Sequence, residues 1–329
     1  VPCVVSPTLG DQHIEPSPVL VGVSWLLKRA ERGGMHFAEE PHRLGFERAS
    51  ALLQVQIGCT WGRCAYCAVC ARHPGPAEVT PLEEVTEDLN ELAQGWRAYS
   101  RVFLYGSNPF GIPHEQLVAR MELIHEKLPS VKSIGGFACI SDIKARSDKE
   151  LAEWAALGAD GLSLGAESGY APALALMRKP QRPADIEEQC ARLDAAGITY
   201  TLFYLVGMAG RGHGAENAKA SAEVFNRIDP YRINVMTLSV FEGTPLYEMV
   251  QRGEFEPASE RENFLEMRDF VNGLTDCRTF IDTGHDVNLV HFDGVLPRDR
   301  EGMVRLLDLR AERANERMLS DYRSRMRRF

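Results

Sequence analysis

QVQIGCTWGRCAYCAVC, residues 54–70, carries Cys59, Cys64, Cys67 and Cys70, four of the chain's eight cysteines. An apolar run ahead of them, 51–57, reads as a short buried strand, and Gly58 as the turn that ends it. A cysteine-rich loop at the mouth of a strand reads as a metal site, and soft thiolates narrow the metal to zinc or an iron–sulfur cluster. Structural zinc sites usually bring two separated ligand pairs, and no second C-x2-C or H-x3-H pair follows downstream. One local knot suits a cluster better. Two registers fit within it. Cys64, Cys67 and Cys70 form the C-x2-C-x2-C start of a ferredoxin-like run, but His73 stands before Pro74 where that run would place its last cysteine. Cys59, Cys64 and Cys67 form C-x4-C-x2-C, with Tyr66 just before the last thiol. Three cysteines on a four-iron cluster leave one iron open to a small molecule.

With these residues the chain resembles the radical S-adenosylmethionine (radical SAM) superfamily, in the subgroup whose cluster loop is C-x4-C-x2-C. Six segments carry the likeness in order: IGCTWGRCAYC at 57–67, VFLYGSNPFGIP at 102–113, LSLGAESG at 162–169, YLVGMAGRG at 204–212, FEGTPLYEMVQRGEF at 241–255 and GVLPRDREGMVRLLD at 294–308. The resemblance implies an α/β fold, a partial (βα)6 barrel, with a [4Fe–4S] cluster on Cys59, Cys64 and Cys67. It implies S-adenosylmethionine (SAM) as the second cofactor. Gly106, Ser107 and Asn108 match the motif that holds the methionyl amino group: glycine lets carbonyls approach an ammonium, and the Asn108 side chain offers a further acceptor. Glu167 matches a glutamate used in SAM binding, and the forked donors of Arg178 suit the SAM carboxylate. Val206 and Gly207, with the backbone near Tyr66, match the surroundings of adenine. The reduced cluster would cleave SAM to methionine and a 5′-deoxyadenosyl radical, which abstracts hydrogen from an organic substrate. An external one-electron reductant such as flavodoxin or ferredoxin would supply the electron.

Hydrophobic patterning points to the same fold without the resemblance. Strand-like runs at 52–57, 101–104, 133–139, 161–165, 200–206 and 233–240 alternate with helical stretches at 81–94, 114–128, 148–157, 183–196 and 215–227. Six βα units in succession predict a parallel sheet with right-handed crossovers, and function at the carboxyl ends of its strands. Residues 1–50 form a leader packed on the barrel, with one helix-like piece at 19–32. The barrel runs over 51–243, and 244–329 is a C-terminal helical extension with a lid segment and a terminal helix.

The chain has 329 residues, 44% apolar and 25% charged, the composition of a soluble globular protein. A net charge of −9 argues against a protein that coats nucleic acid, because such binding neutralises phosphates with Lys and Arg. A small-molecule substrate is therefore expected: a sugar, nucleoside or other natural-product intermediate. An RNA- or peptide-modifying radical enzyme is the alternative, and a non-enzymatic iron–sulfur or zinc protein on Cys64, Cys67 and Cys70 a further one. The arginines of the last twenty residues, interleaved with Glu312, Glu316 and Asp321, read as a solvated terminal helix. No apolar run is long enough to span a bilayer and the start is not a signal peptide, so the protein is expected to be cytoplasmic. Its many free thiols fit a reducing compartment.

Cysteines outside the triad bear on the net reaction. Cys139 ends the third predicted strand and Cys277 precedes the lid-like segment TGHDVNLVHFDG, where His285 and His291 also lie. A thiol at the barrel mouth can return a hydrogen atom to a substrate radical, giving epimerisation, and sulfur insertion is the other outcome considered. The competing reading is that each is a small buried hydrophobe, and each histidine a hydrogen-bonded structural residue.

Overall fold

Strands built from runs buried on both faces need partners on both faces, and a parallel sheet with crossover helices meets that need. A computed structural model describes residues 34–39, 41 and 43–326. The predicted helix at 19–32, Cys3, Arg327 and Arg328 lie outside these residues. The strands are β1 (Ala51–Gln54), β2 (Gln56–Ile57), β3 (Glu78–Val79), β4 (Arg101–Tyr105), β5 (Ser133–Cys139), β6 (Leu162–Glu167), β7 (Tyr200–Val206), β8 (Arg232–Thr237), β9 (Phe280–Asp282) and β10 (Asp293–Val295). Eight of them form one sheet in the order β1-β4-β5-β6-β7-β8-β9-β10. Every neighbouring pair from β1 to β9 is parallel, and only β10 runs antiparallel to its neighbour β9.

Helices Leu82–Gln94, His114–Lys127, Asp148–Ala156, Pro183–Ala196 and Gly214–Phe225 fill the connections, within a residue or two of their predicted bounds. Their starts are legible where a cap is present: the Ser147 hydroxyl accepts the Glu150 amide while the Glu150 carboxylate accepts the Ser147 amide, a reciprocal capping box. The core beneath holds Trp154, Tyr200, Tyr204, Phe103 and Phe225, all buried. Each such side chain contributes roughly 1.5–3 kcal/mol on leaving water.

Two predicted strands differ from the observed ones in ways that shape the site. The run at 52–57 is two strands, not one. Val55 still donates to the Tyr105 carbonyl (3.0 Å), but its own carbonyl accepts from Thr80 (3.0 Å), and the chain peels off to pair with β3. That departure carries Gly58 and the cysteine loop over the carboxyl ends of the strands. The last predicted strand stops at Thr237, short of 240.

Beyond the six predicted strands, β9 and β10 extend the sheet. Three residues each, they are too short to show an alternating pattern. Asn288 fastens the segment between them to the end of β8: its amide donates to the Val235 and Thr283 carbonyls (2.8 Å each), and its oxygen accepts from Thr237 Oγ1 (2.8 Å). Helices Pro245–Gln251, Glu260–Gly273, Arg300–Glu312 and Glu316–Ser324 complete the C-terminal part. The terminal helix is not wholly solvated, as its charge pattern suggested: Arg323 pairs with Glu260 and donates to Ser239 Oγ and the Val287 carbonyl at 3.0 Å each. The described residues between 34 and 50 lie against the first strands, with the Ala38 amide on Gln54 Oε1 (2.9 Å) and the Phe37 ring edge-on to Tyr105. Among the described residues no helix is long and apolar enough to cross a membrane.

Candidate active site

Gly58 takes a positive φ of 73° and turns the chain from β2 into the cysteine loop. The loop is clamped at Ala65, whose amide donates to the Met177 carbonyl (3.0 Å) and whose carbonyl accepts from Leu246 (2.8 Å). Within it the Cys59 sulfur accepts from the thiols of Cys139 and Cys70 and from the amides of Gly62 and Trp61. Together these hold it far below the usual thiol range, although burial opposes them. Cys67 is lowered to about 7, by the Cys70 thiol first and then, against burial, by the amides of Cys70 and Val69. Burial pushes Cys64 up to about 12, with the nearby Lys179 ammonium acting the other way.

Both registers offered by the sequence are therefore present in one group of thiols, and Cys139 joins it from the end of β5. Amides aimed at two sulfurs and a buried cation beside a third suit thiolates on an iron–sulfur cluster, whose sulfurs are stabilised by hydrogen bonds.

Gly106 has φ 147°, and a Cβ there would lie 2.8 Å from that of Gln56, so only glycine fits the turn after β4. Ser107 is partly exposed beside it. Asn108 departs from its expected role. Its side chain is wholly buried, with Nδ2 donating to Thr60 Oγ1 (2.5 Å) and Asp142 Oδ2 (2.9 Å), and Oδ1 accepting from Gln56 Nε2 (3.2 Å) and the Thr60 amide (3.0 Å). Every polar atom of the amide is used inside the protein. Asp142 also accepts the Cys139 amide at 2.7 Å. Asn108 thus ties the cysteine loop to the ends of β4 and β5, and the Gly106–Ser107 backbone is left as the part of the motif that can face a ligand.

Across the mouth, Glu167 ends β6 with φ 67°, and Gly165 leaves room for its carboxylate, since a Cβ there would lie 2.8 Å from Oε1. Lys179 Nζ sits 3.3 Å from Glu167 Oε1 with its side chain 3% exposed. Burial works against that ammonium, but the negative groups around it, Glu167 first and then Cys64 and Cys139, raise it above the usual lysine range. Tyr66 is buried beside the same carboxylate; burial chiefly, and then Glu167, push its phenol well up. The Gly207 amide, after β7, donates to Glu266 Oε2 at 3.0 Å. Tyr66, Leu205, Met208 and Met236 share an apolar cluster over these strand ends.

The structure brings together Cys59, Cys64, Cys67, Cys139, Tyr66 and Glu167, with Gly106, Ser107, Val206 and Gly207 on neighbouring strand ends. It does not bring Cys277, which is buried ahead of the amino end of β9 near Asp229, at the opposite end of the sheet. Arg178 is exposed; its positive φ of 57° turns the chain so that the next residue, Lys179, points inward. The Arg178 carbonyl accepts from Trp61 Nε1 at 2.8 Å, linking that turn to the cysteine loop. His291 is exposed, and His285 Nδ1 accepts the Val287 amide at 3.2 Å. Sequence reasoning missed Lys179, Asp142 and Glu266. A lysine held extended by the following Pro180 was the available sign for the first.

Comparisons with known proteins agree with this geometry. A tRNA uridine(34) acetyltransferase of Methanocaldococcus infernus is 32% identical over 118 residues, 35% of this chain and 22% of that protein. Its namesake from Methanocaldococcus jannaschii is 29% identical over 117 residues, 35% of this chain and 21% of that protein. The matches thus span about a fifth of the length of these curated relatives. Among solved structures, the radical SAM methyltransferase TsrM of Kitasatospora setae, with cobalamin and a [4Fe–4S] cluster bound, superposes with a TM-score of 0.51 at 17% identity, covering 65% of this chain and 41% of that one. The cobalamin-dependent SAM radical enzyme OxsB superposes at 0.52 with 14% identity, over 80% of this chain and 45% of that one. At these identities the likeness is one of fold. Residues 53–223, more than half of the chain, match the radical SAM superfamily, and they hold the cysteine loop and the strand ends through Gly207. The chain belongs to the radical SAM superfamily.

Proposed function

We propose that this chain is a radical SAM enzyme that abstracts hydrogen from a small organic substrate, with Cys59, Cys64 and Cys67 holding a [4Fe–4S] cluster. When bound and reduced by an external one-electron donor, the cluster supplies the electron that cleaves SAM to methionine and a 5′-deoxyadenosyl radical. The observation that carries the reading is the meeting of the cysteine loop with the Glu167–Lys179 pair across the mouth of a superfamily-matched barrel. The Gly106–Ser107 backbone receives the methionyl amino group. Lys179 is the buried cation nearest the thiols, and it takes the place of Arg178 as the partner for the SAM carboxylate. Glu167 accepts from the ribose, and Tyr66, Val206 and Gly207 enclose adenine. Burial of this set excludes water from a reactive carbon centre.

Cys139, which reaches the cysteine group from the end of β5, is the thiol we assign as hydrogen-atom donor. Giving its hydrogen atom to a substrate carbon radical breaks the S–H bond, forms a C–H bond and leaves a thiyl radical, which one electron from the external reductant and one proton from solvent restore. The product is then an epimer. An acidic chain of net charge −9 supports a small substrate over a polyanion. A nucleoside within tRNA is the second reading, favoured by the tRNA-modifying relatives and by exposed Arg63, whose guanidinium lies 5.2 Å from the centroid of the Trp61 ring on the rim.

Anaerobic reconstitution tests the proposal. Cys59→Ala should abolish cluster loading and 5′-deoxyadenosine release, while Cys70→Ala should load four irons per chain, the complement of the proposed cluster. The reverse pattern would assign the cluster to the ferredoxin-like register of Cys64, Cys67 and Cys70 and overturn the proposed ligand set. A tRNA pool at about 150 mM salt should not compete for the protein. Micromolar binding there would shift the assignment to the second reading.

A further inference from the structure

Glu266 lies outside the superfamily-matched residues, on the helix Glu260–Gly273, and its side chain is fully buried beneath two strand-end turns. Oε2 accepts the Gly207 amide at 3.0 Å, and Oε1 accepts Tyr204 Oη at 2.9 Å and Asn217 Nδ2 at 2.7 Å. Asn217 passes the contact on: its Oδ1 accepts from Ser168 Oγ at 2.5 Å, and the Ser168 oxygen in turn accepts the Tyr170 amide at 2.8 Å. One carboxylate therefore holds the turn after β7 directly and the turn after β6, next to Glu167, through Asn217.

Glu167 sits at φ 67°, a conformation that costs a non-glycine residue free energy and persists only where its surroundings enforce it. The Ser168–Asn217–Glu266 chain is such an enforcement. A buried carboxylate is costly unless its oxygens are bonded, and here three donors from three different places converge on it.

From this geometry we infer that Glu266 is a positioning residue for SAM: it sets the spacing between the Glu167 and Gly207 turns that grip the nucleoside part of the cofactor. The inference rests on the proposal that those two turns bind SAM. A glutamine at 266 cannot serve both arms. With its oxygen on Tyr204 and Asn217, its NH2 faces the Gly207 N–H, donor against donor; turned over, it faces the Asn217 NH2.

The test uses the full chain, reconstituted anaerobically at pH 8, with SAM affinity measured by equilibrium dialysis beside iron content and melting temperature. Glu266→Gln and Ser168→Ala are each expected to weaken SAM binding by roughly tenfold, the scale of one lost hydrogen bond, with iron content unchanged. SAM affinity equal to that of the unaltered chain in either folded variant overturns the inference, and so does a loss of iron in step with affinity, which would make the network a general brace. If Glu266→Gln does not fold, Ser168→Ala decides, because it cuts the β6 arm without disturbing the carboxylate. An unaltered chain that loads four irons but binds no SAM refutes the underlying reading instead.

Discussion

Replacing Asn108 with alanine separates two roles that a residue at this place in the motif can have. The side chain makes four hydrogen bonds, to Gln56, to the Thr60 amide and hydroxyl, and to the Asp142 carboxylate. Three of them are worth about 1 kcal/mol each and the one to a carboxylate about 2, and deleting the amide leaves Asp142 and Gln56 buried with unmet partners. Some of that loss returns if water enters the space, so the expected cost is about 3 to 5 kcal/mol. For a chain of 329 residues this corresponds to a melting temperature lower by about 4 to 7 °C. The loss should fall on the cysteine loop, because Thr60 is the residue next to Cys59. Calorimetry and iron content after anaerobic reconstitution should therefore drop together. An Asn108→Ala chain that keeps its melting temperature and its iron but no longer binds SAM would refute this reasoning and return the amide to the role of a cofactor acceptor.

Lys179→Met leaves Glu167 buried without its cation and should destabilise the fold by about 3 kcal/mol, whereas adding Glu167→Gln should recover much of that; chemical denaturation of the two variants measures it. Cys139→Ala should retain iron and still release 5′-deoxyadenosine, but should lose incorporation of solvent deuterium into product; unchanged incorporation would remove this thiol from the reaction. Burial raises the Glu266 carboxyl from 4.5 to about 7, against the bonds from Asn217, Tyr204 and Gly207. A group raised in the folded chain contributes stability that is complete below its unfolded value and is lost as pH rises through the folded one, so melting temperature should fall between pH 4.5 and about 7. The whole effect is worth about 3 kcal/mol, and Glu266→Gln should flatten it.

The six parallel strands and their five crossover helices were legible because each repeats its apolar period over enough residues to be seen. The cysteine loop was legible because four thiols in so short a span have few uses. What escaped was direction. Asn108 and Lys179 sit in the turns where the motif was read, yet whether a side chain in such a turn points at a ligand or back into the protein depends on backbone angles that residue identity does not fix. Arg178 looked the better partner for a carboxylate by its chemistry, and a positive φ at that residue turned its neighbour inward instead. Cys277 was placed near the mouth by its nearness in sequence to the lid-like segment, but β9 intervenes and reverses that inference: the thiol precedes the strand, so it lies at the other end of the sheet.

Glu266 shows what the missing signal looks like. On its helix the buried residues Asn263, Glu266, Met267, Phe270 and Val271 follow the spacing of an inward-facing stripe, so a carboxylate occupies a position the pattern reserves for an apolar side chain. Such a break has two physical outcomes. Either the group lowers stability without compensation, or the fold supplies donors to satisfy it. Here Tyr204, Asn217 and the Gly207 amide supply them, and all three lie within the superfamily-matched residues. The C-terminal helix is thereby coupled to the strand ends by a polar contact that hydrophobic packing alone would not require. Removing the charge while keeping the shape should accordingly be felt at the Glu167 and Gly207 turns, the ones proposed to hold SAM, more than in the core, where the Phe270 ring still stacks 3.8 Å from that of Tyr204.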